Sequence, residues 1–337
     1  MEVRQNFDLT KLNTFGVSAR AKFFVEINNL NDLQELFKKK EFKENQRLFL
    51  GGGSNILFTK DFDGIVILNK LRKIEIIEET PEYVLIKAQG GENWQDLVEF
   101  AVSRGYWGIE NLSSIPGSVG AAPMQNIGAY GAELREILLE IEVFDTQTGE
   151  QKVIKIEPES QGYRQSILKD EPRGKFFITA IVLKLSKMPK ANISYKSLSQ
   201  YLAQNKIEVQ SSKDVSRAVT EIRKEKLPDP SVISNAGSFF KNVFVDETKL
   251  NELKAQYPDL VYFQDNKGIK ISSGWLIEKA GWRGKRLGGA GVYEKHALVL
   301  VNHGGSTGQD ILDLAYKIKD DIKEKFGIEL VPEVNII

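Results

Sequence analysis

The chain has no cysteine among its 337 residues, which excludes disulfides and zinc–thiolate centres. Two histidines, His296 and His303, are too few for a histidine metal cluster, so no metal site is expected. Neither charge dominates: 46 Lys and Arg balance 46 Asp and Glu. No basic field exists to hold a phosphate backbone, and nucleic acid is not an expected partner. No run of 18 apolar residues suggests a membrane span, and the first residues show no apolar leader segment. The expectation is a cytoplasmic, metal-free protein whose length allows two or three domains.

Against a charged content of 27%, the stretch Asn111 to Ala132 stands out because it carries no charge at all. It reads NLSSIPGSVGAAPMQNIGAYGA and contains Gly117, Gly120, Gly128 and Gly131. Four glycines in an ordered loop cost about 2–4 kcal/mol in chain entropy, so a requirement for them is expected. Backbone N–H groups brought close to an anionic ligand would supply one. A buried packing loop is the plainer alternative. A second glycine run, Gly51-Gly52-Gly53-Ser54-Asn55, follows the candidate strand Arg47–Leu50. It lacks the Lys-Ser/Thr ending of a Walker loop and does not open a helix as a dinucleotide fingerprint does. Two separate glycine loops suit one long ligand with a pyrophosphate in its middle.

Around these loops the pattern mixes strand and helix. Strands are expected at 21–27, 64–68, 84–88 and 176–185, with a hairpin joining 141–144 to 151–154. Helices are expected from Asn31 or Asp32 through Lys40, from Asn93 to Gly105, over 214–226, over 246–256, around 272–280 and over 309–326. A long polar loop containing Tyr195 is expected over 188–200, and Pro228 with Pro230 marks a domain boundary. Gly304-Gly305-Ser306-Thr307-Gly308 matches a nucleophile elbow, which makes a hydrolase a rival reading. Both histidines precede Ser306, however, whereas that fold places its histidine after the serine. Ser306 or Thr307 is better read as a helix N-cap.

Taken with Ile115-Pro116-Gly117-Ser118-Val119-Gly120-Ala121-Ala122-Pro123, Gln125-Asn126-Ile127-Gly128-Ala129-Tyr130-Gly131, Tyr163-Arg164, Lys226-Leu227-Pro228-Asp229-Pro230, Asn235-Ala236-Gly237-Ser238-Phe239-Phe240-Lys241-Asn242 and Pro332-Glu333-Val334, the first glycine run resembles the UDP-N-acetylenolpyruvoylglucosamine reductase (MurB) family. The resemblance runs in order from about Asn13 to the C-terminus. It implies an α+β fold with a PCMH-type (vanillyl-alcohol-oxidase-like) FAD-binding module over about 17–187. The halves of the FAD-binding part are expected at 1–72 and 73–225, with 331–337 returning to the second, and 226–330 forms an α/β substrate domain. Implied too are FAD, NADPH as reducing co-substrate, and reduction of an enolpyruvyl UDP-sugar to UDP-N-acetylmuramate for peptidoglycan precursors.

By motif position, the resemblance gives Arg164 as the cation beside the substrate carboxylate, Ser238 as proton donor and Glu333 as the third catalytic group. FAD contacts fall on Gly51, Gly52, Gly53, Ser54, Asn55, Pro116, Gly117, Ser118, Gly120, Ala121, Gln125, Asn126, Gly128, Ala129, Tyr130 and Tyr163. Substrate contacts fall on Tyr195, Lys226, Asn242 and His296, the last at a place where some relatives carry Gln. Leu168 departs from an expected aromatic. No separate unit for NADPH is visible, so both substrates are expected to use one pocket in turn, in a monomer. Another FAD oxidase of the same fold, or a flavin- or nucleotide-binding protein without catalysis, are the alternatives.

Overall fold

The computed structural model describes residues 1–157, 164, 166–169, 171–265 and 268–337. They form two compact units: Met1–Phe7, Arg20–Gly53 and Phe62–Glu225 in one, Asp8–Ala19, Ser54–Asp61 and Lys226–Ile337 in the other.

The first unit contains two sheets. One has the order Arg4–Asp8, Arg20–Ile27, Phe62–Asn69, Gln46–Leu50, and Phe62–Asn69 runs parallel to both of its neighbours. Strands of this kind are covered on both faces, so Ile65-Val66-Ile67-Leu68 is a continuous buried run. The other sheet is antiparallel, ordered Glu150–Lys155, Leu138–Asp145, Phe176–Ser186, Tyr83–Gln89, Ile74–Glu79. Phe144 and Phe177 of this sheet share a core with Val25, Ile27 and Ile65 of the first. The expected break near residue 72 therefore separates two sheets within one compact unit.

Helix α1 (Leu30–Lys38) begins earlier than expected. Asn29 caps it, and Asp32 accepts the Asn29 N–H in return, a reciprocal capping box. Lys39 is extended and ends α1, and a separate helix α2 (Lys40–Glu44) follows. Helix α3 (Trp94–Val102) is capped by Asn93 as expected and buries Trp94, Leu97, Val98 and Ala101 on one face. Burial of this kind stabilises by about 1.5–3 kcal/mol for each large aliphatic, and it fixes α3 beneath the central loop. The stretch read as a long loop is helical in its second half. Leu198 and Leu202 of α4 (Lys196–Gln204) bury against Val215, Val219 and Ile222 of α5 (Ser212–Lys226), and this apolar pairing selects the helix.

In the second unit an antiparallel sheet is ordered Ser234–Ser238, Val299–Asn302, Ala290–Val292, Arg286–Leu287. A smaller sheet joins Val243–Val245, Gly268–Ile271 and Tyr262–Asp265. Helices α6 (Glu247–Gln256), α7 (Ser273–Lys279) and α8 (Gly308–Phe326) complete it. The expected stripe of α8, from Ile311 to Phe326, is buried. Asn335–Ile336 pairs in parallel with Ile56–Leu57, and 331–337 cluster with the second unit. Ile56 and Leu57 are buried, and buried backbone polar groups need such a partner. Among the described residues no helix is long and apolar enough to cross a membrane.

Candidate active site

In the first unit the two glycine loops touch through their backbones. A Cβ added to Gly52 would lie 2.9 Å from the Gly117 Cα, and one on Gly51 would collide with the Ser118 hydroxyl. The central loop is then tied to the turn before α3: Trp94 N donates to Gly117 O at 3.0 Å, Val119 N to Glu92 O at 2.9 Å and Gly120 N to Gly90 O at 2.8 Å. Gly52, Pro116 and Ala121 remain exposed. Beside them Ser118 is buried, and its Oγ has no hydrogen-bond partner among the described residues. An orphaned hydroxyl between two glycine loops fits a ligand that brings its own acceptor, as a flavin nucleotide does. Gly51, Gly52 and Gly117–Ala121 are therefore the residues that would hold FAD, with Gly53 completing the first loop.

The loop then turns back on itself. Gly128–Ala129 pairs with Ala132–Glu133, and both residues of the connection, Tyr130 and Gly131, have positive φ, 49° and 84°. Two positive φ values mark the tight primed turns of hairpins. Tyrosine rarely adopts this conformation, so a non-glycine outlier here is a pointer to function. Asn126, also at positive φ (43°), uses its side chain to hold the hairpin: Nδ2 donates to Glu133 at 3.0 Å and Oδ1 accepts from Arg135 N at 2.9 Å. Gln125 closes the short helical turn before it.

Tyr163 lies outside the described residues. Arg164 does not: its backbone is left-handed (φ 53°) and Nη2 donates to Gly128 O at 3.4 Å. The expected catalytic arginine is thus attached to the central loop, and the departing Leu168 packs into the core. Tyr195 is the residue before α4, with its ring edge-on to Tyr130 at 5.6 Å. Burial raises the pKa of both phenols, so both stay protonated donors at neutral pH.

Two further residues of this region escaped the sequence reading. The Asn111 amide donates to Tyr130 O and to Asn192 O, each at 2.8 Å, and Asn192 donates to Gly131 O at 2.9 Å. Asn111 therefore couples the hairpin to the Tyr195 segment. Arg223, on α5, donates through Nε to Ser114 O at 3.2 Å, and burial lowers its pKa. Its only sequence signal is a polar row, Ser216, Thr220 and Arg223, at helical spacing on α5.

In the second unit, strand Ser234–Ser238 is bulged between Asn235 and Ser238, with Gly237 at φ 69°. Asn235 Oδ1 accepts from Gly237 N at 2.9 Å and fixes this irregularity. Bulges bend a strand and re-aim side chains, and this irregularity ends at Ser238. The tail runs alongside: Lys241 N donates to Val331 O at 2.9 Å and Glu333 N to Phe239 O at 2.7 Å. Glu333 is thereby pinned one residue along from Ser238. Asn55 donates to Glu333 O at 3.4 Å, and Asn335 N donates to Asn55 O at 3.1 Å, so Asn55, with its neighbour Ser54, clusters with the catalytic tail.

His296 Nδ1 accepts from Leu298 N at 3.3 Å, and Leu298 O accepts from Phe239 N at 2.8 Å, which links the histidine to the Ser238 strand. Asn242 Oδ1 accepts from Ser273 N at the start of α7. Lys226 is exposed at the end of α5. Structure removes the elbow reading as well: Thr307 caps α8 in a capping box with Asp310, while Ser306 is buried.

Comparison with known proteins agrees with this arrangement. Residues 21–155 match the FAD binding domain family, and residues 229–337 match the UDP-N-acetylenolpyruvoylglucosamine reductase C-terminal domain. The chain is 41% identical over 339 residues to the UDP-N-acetylenolpyruvoylglucosamine reductase of Flavobacterium johnsoniae, covering 100% of both chains. It is 43% identical over 336 residues to that of Pseudomonas fluorescens, covering 99% of each. Its fold is similar to that of the crystal structure of the Thermus caldophilus enzyme (MurB), with a TM-score of 0.68 at 23% identity over 99% of this chain and 98% of the other. An FAD-binding part followed by the reductase-specific C-terminal domain, as expected, makes this chain a member of the UDP-N-acetylenolpyruvoylglucosamine reductase family.

Proposed function

We propose that this flavoenzyme uses NADPH to reduce the enolpyruvyl group of UDP-N-acetyl-3-O-(1-carboxyvinyl)glucosamine, giving UDP-N-acetylmuramate, with the proton coming from Ser238. The observation that carries the residue assignment is the bulge at Asn235–Ser238, with Glu333 pinned beside it by Phe239 O. When bound, FAD supplies the hydride chemistry. Reduction at the terminal alkene carbon builds negative charge on the neighbouring carbon and into the carboxylate. Arg164, fixed to Gly128 O, offsets that charge as it develops, so it favours the transition state over the substrate. Ser238 gives its proton to the carbanionic carbon, a general-acid role. Glu333 tunes the local charge and orients water near the substrate carboxylate. Tyr195, Lys226, Asn242 and His296 bind the UDP-sugar, and the two substrates visit one pocket in turn. The reaction belongs to the cytoplasm, where UDP-sugars and NADPH are made, and a single chain supplies every residue named.

An anaerobic visible spectrum tests this reading. Flavin colour should bleach with NADPH and return with the enolpyruvyl substrate. Colour that returns only with air would leave a flavoprotein and remove the reductase.

A further inference from the structure

The glycine run 304–308 borders a cavity of the second unit to which the reductase reading gives no task. Its volume is 290 Å³, and Val232, Ile233, Ser234, Asn302, His303 and Gly304 line it. Ser234 pairs with Asn302 at one end of two neighbouring strands, and Ser238 pairs with Val299 at the other. About 10 Å of strand therefore separates the cavity from the proposed proton donor. Pockets for drug-sized ligands begin near about 300 Å³, so this one suits a small molecule and not a nucleotide.

Two basic side chains converge beside it. His303 N donates to Gly289 O at 2.8 Å. Asn302 holds the turn around it, with Nδ2 donating to Phe15 O at 3.0 Å and Oδ1 accepting from Gly304 N at 2.9 Å. The imidazole reaches over Gly291: a Cβ there would lie 3.2 Å from His303 Nε2 and 3.2 Å from Arg286 Cγ. A bare glycine inside a strand marks such a close approach. Both side chains are exposed, and among the described residues no carboxylate forms an ion pair with Arg286. Burial, and then the charge of Arg286, lowers the His303 pKa, opposed by Glu294, so the imidazole is neutral at neutral pH. The other wall is apolar, and Val232 stands 79% exposed at its rim.

We propose that this cavity binds a small amphiphilic oxyanion, with its carboxylate or phosphate head on His303 and Arg286 and a short apolar body on Val232 and Ile233. The head supplies the negative charge that Arg286 lacks, through charge-assisted hydrogen bonds. The body covers Val232, and each methylene it buries strengthens binding about fourfold. His303 is the one residue that belongs both to the cavity wall and to the pair over Gly291, so it reports on occupancy.

The chain has only two histidines, which makes the test direct. FAD-loaded enzyme gives two imidazole C2–H signals by NMR, and His303→Gln assigns them. The probes are acetate, isovalerate and isobutyl phosphate, each titrated at neutral pH and constant ionic strength. A bound anion raises the His303 pKa, so its signal should move saturably toward the imidazolium position while His296 stays still. Isovalerate, which is acetate extended by an isopropyl group, should bind at least about tenfold more tightly than acetate. Whichever of isovalerate and isobutyl phosphate binds more tightly identifies the head. Arg286→Gln should weaken that probe about 10- to 100-fold, and Val232→Ser should erase the advantage over acetate. Movement of His296 alone would place the anion in the substrate pocket and overturn the proposal. So would a His303 signal that no probe saturates, an equal response in Arg286→Gln, or equal affinity for acetate and isovalerate.

Discussion

Ser238 has the most exacting task of any residue here, since a hydroxyl is a weak acid and must be placed to act as one. Ser238→Ala should leave FAD bound and reducible by NADPH while slowing reoxidation by the enolpyruvyl substrate about 10²- to 10⁴-fold. Stopped-flow traces of the two half-reactions check this, and an unchanged second phase would take the proton from elsewhere. Arg164→Ala should slow the same phase about 10²- to 10³-fold by loss of charge stabilisation. A pH effect belongs at this scale too. Glu110 is buried, and burial raises its pKa above the ordinary 4.5, opposed by backbone N–H groups of Glu110, Gly108 and Ile109. The folded state then holds the proton more tightly than the unfolded one, so Glu110 contributes less stability as pH rises through that window. Comparing urea midpoints at pH 5 and pH 8, Glu110→Gln should gain on wild type as pH increases. A constant gap would mean the carboxyl titrates normally. The motifs that suggest Ser238, Arg164 and Glu333 are local, so a reading of the sequence can propose them. The fastening of α5 to the central loop is not local: it joins Ser114 and Thr220, 106 positions apart, and no window of sequence shows that pairing.

At the scale of elements, the segment leading into α4 is held by amides more than by apolar packing. Asn111→Asp keeps the shape but removes both donated bonds, to Tyr130 O and Asn192 O. Trypsin should then cut faster at Lys187 or Lys190, and the KM for the UDP-sugar should rise. Unaltered cleavage would show that the Tyr195 segment is held by other means. Helix α8 offers a cleaner energetic test: Thr307→Ala removes its N-cap and should lower stability by about 1 kcal/mol, read from a denaturant midpoint. Periodicity revealed α8, α5 and the long strand Phe176–Ser186, because each buries a face large enough to impose its period. It missed the start of α1, where a capping box at Asn29 outweighed the later candidates Asn31 and Asp32. It also read α4 as loop, because only Leu198 and Leu202 anchor it and their partners lie on another helix.

For the molecule as a whole, the second unit is assembled from three separated stretches, 8–19, 54–61 and 226–337. A chain that crosses between units in this way gives no sequence signal at the crossings. FAD binds only the folded chain in this reading, so free FAD at about 100 times its Kd should stabilise by about 2.7 kcal/mol, seen as a rise in melting temperature. An unmoved melt would deny a built flavin site.

The pairing of Asn55 with Asn335 spans 280 residues. During synthesis, Ile56 and Leu57 emerge long before their partner strand, Asn335–Ile336. The second unit thus cannot close until that strand has been made, and contacts of such long separation form slowly. For that interval the nascent chain carries an apolar segment with no mate, the kind of surface that chaperones hold and aggregates recruit.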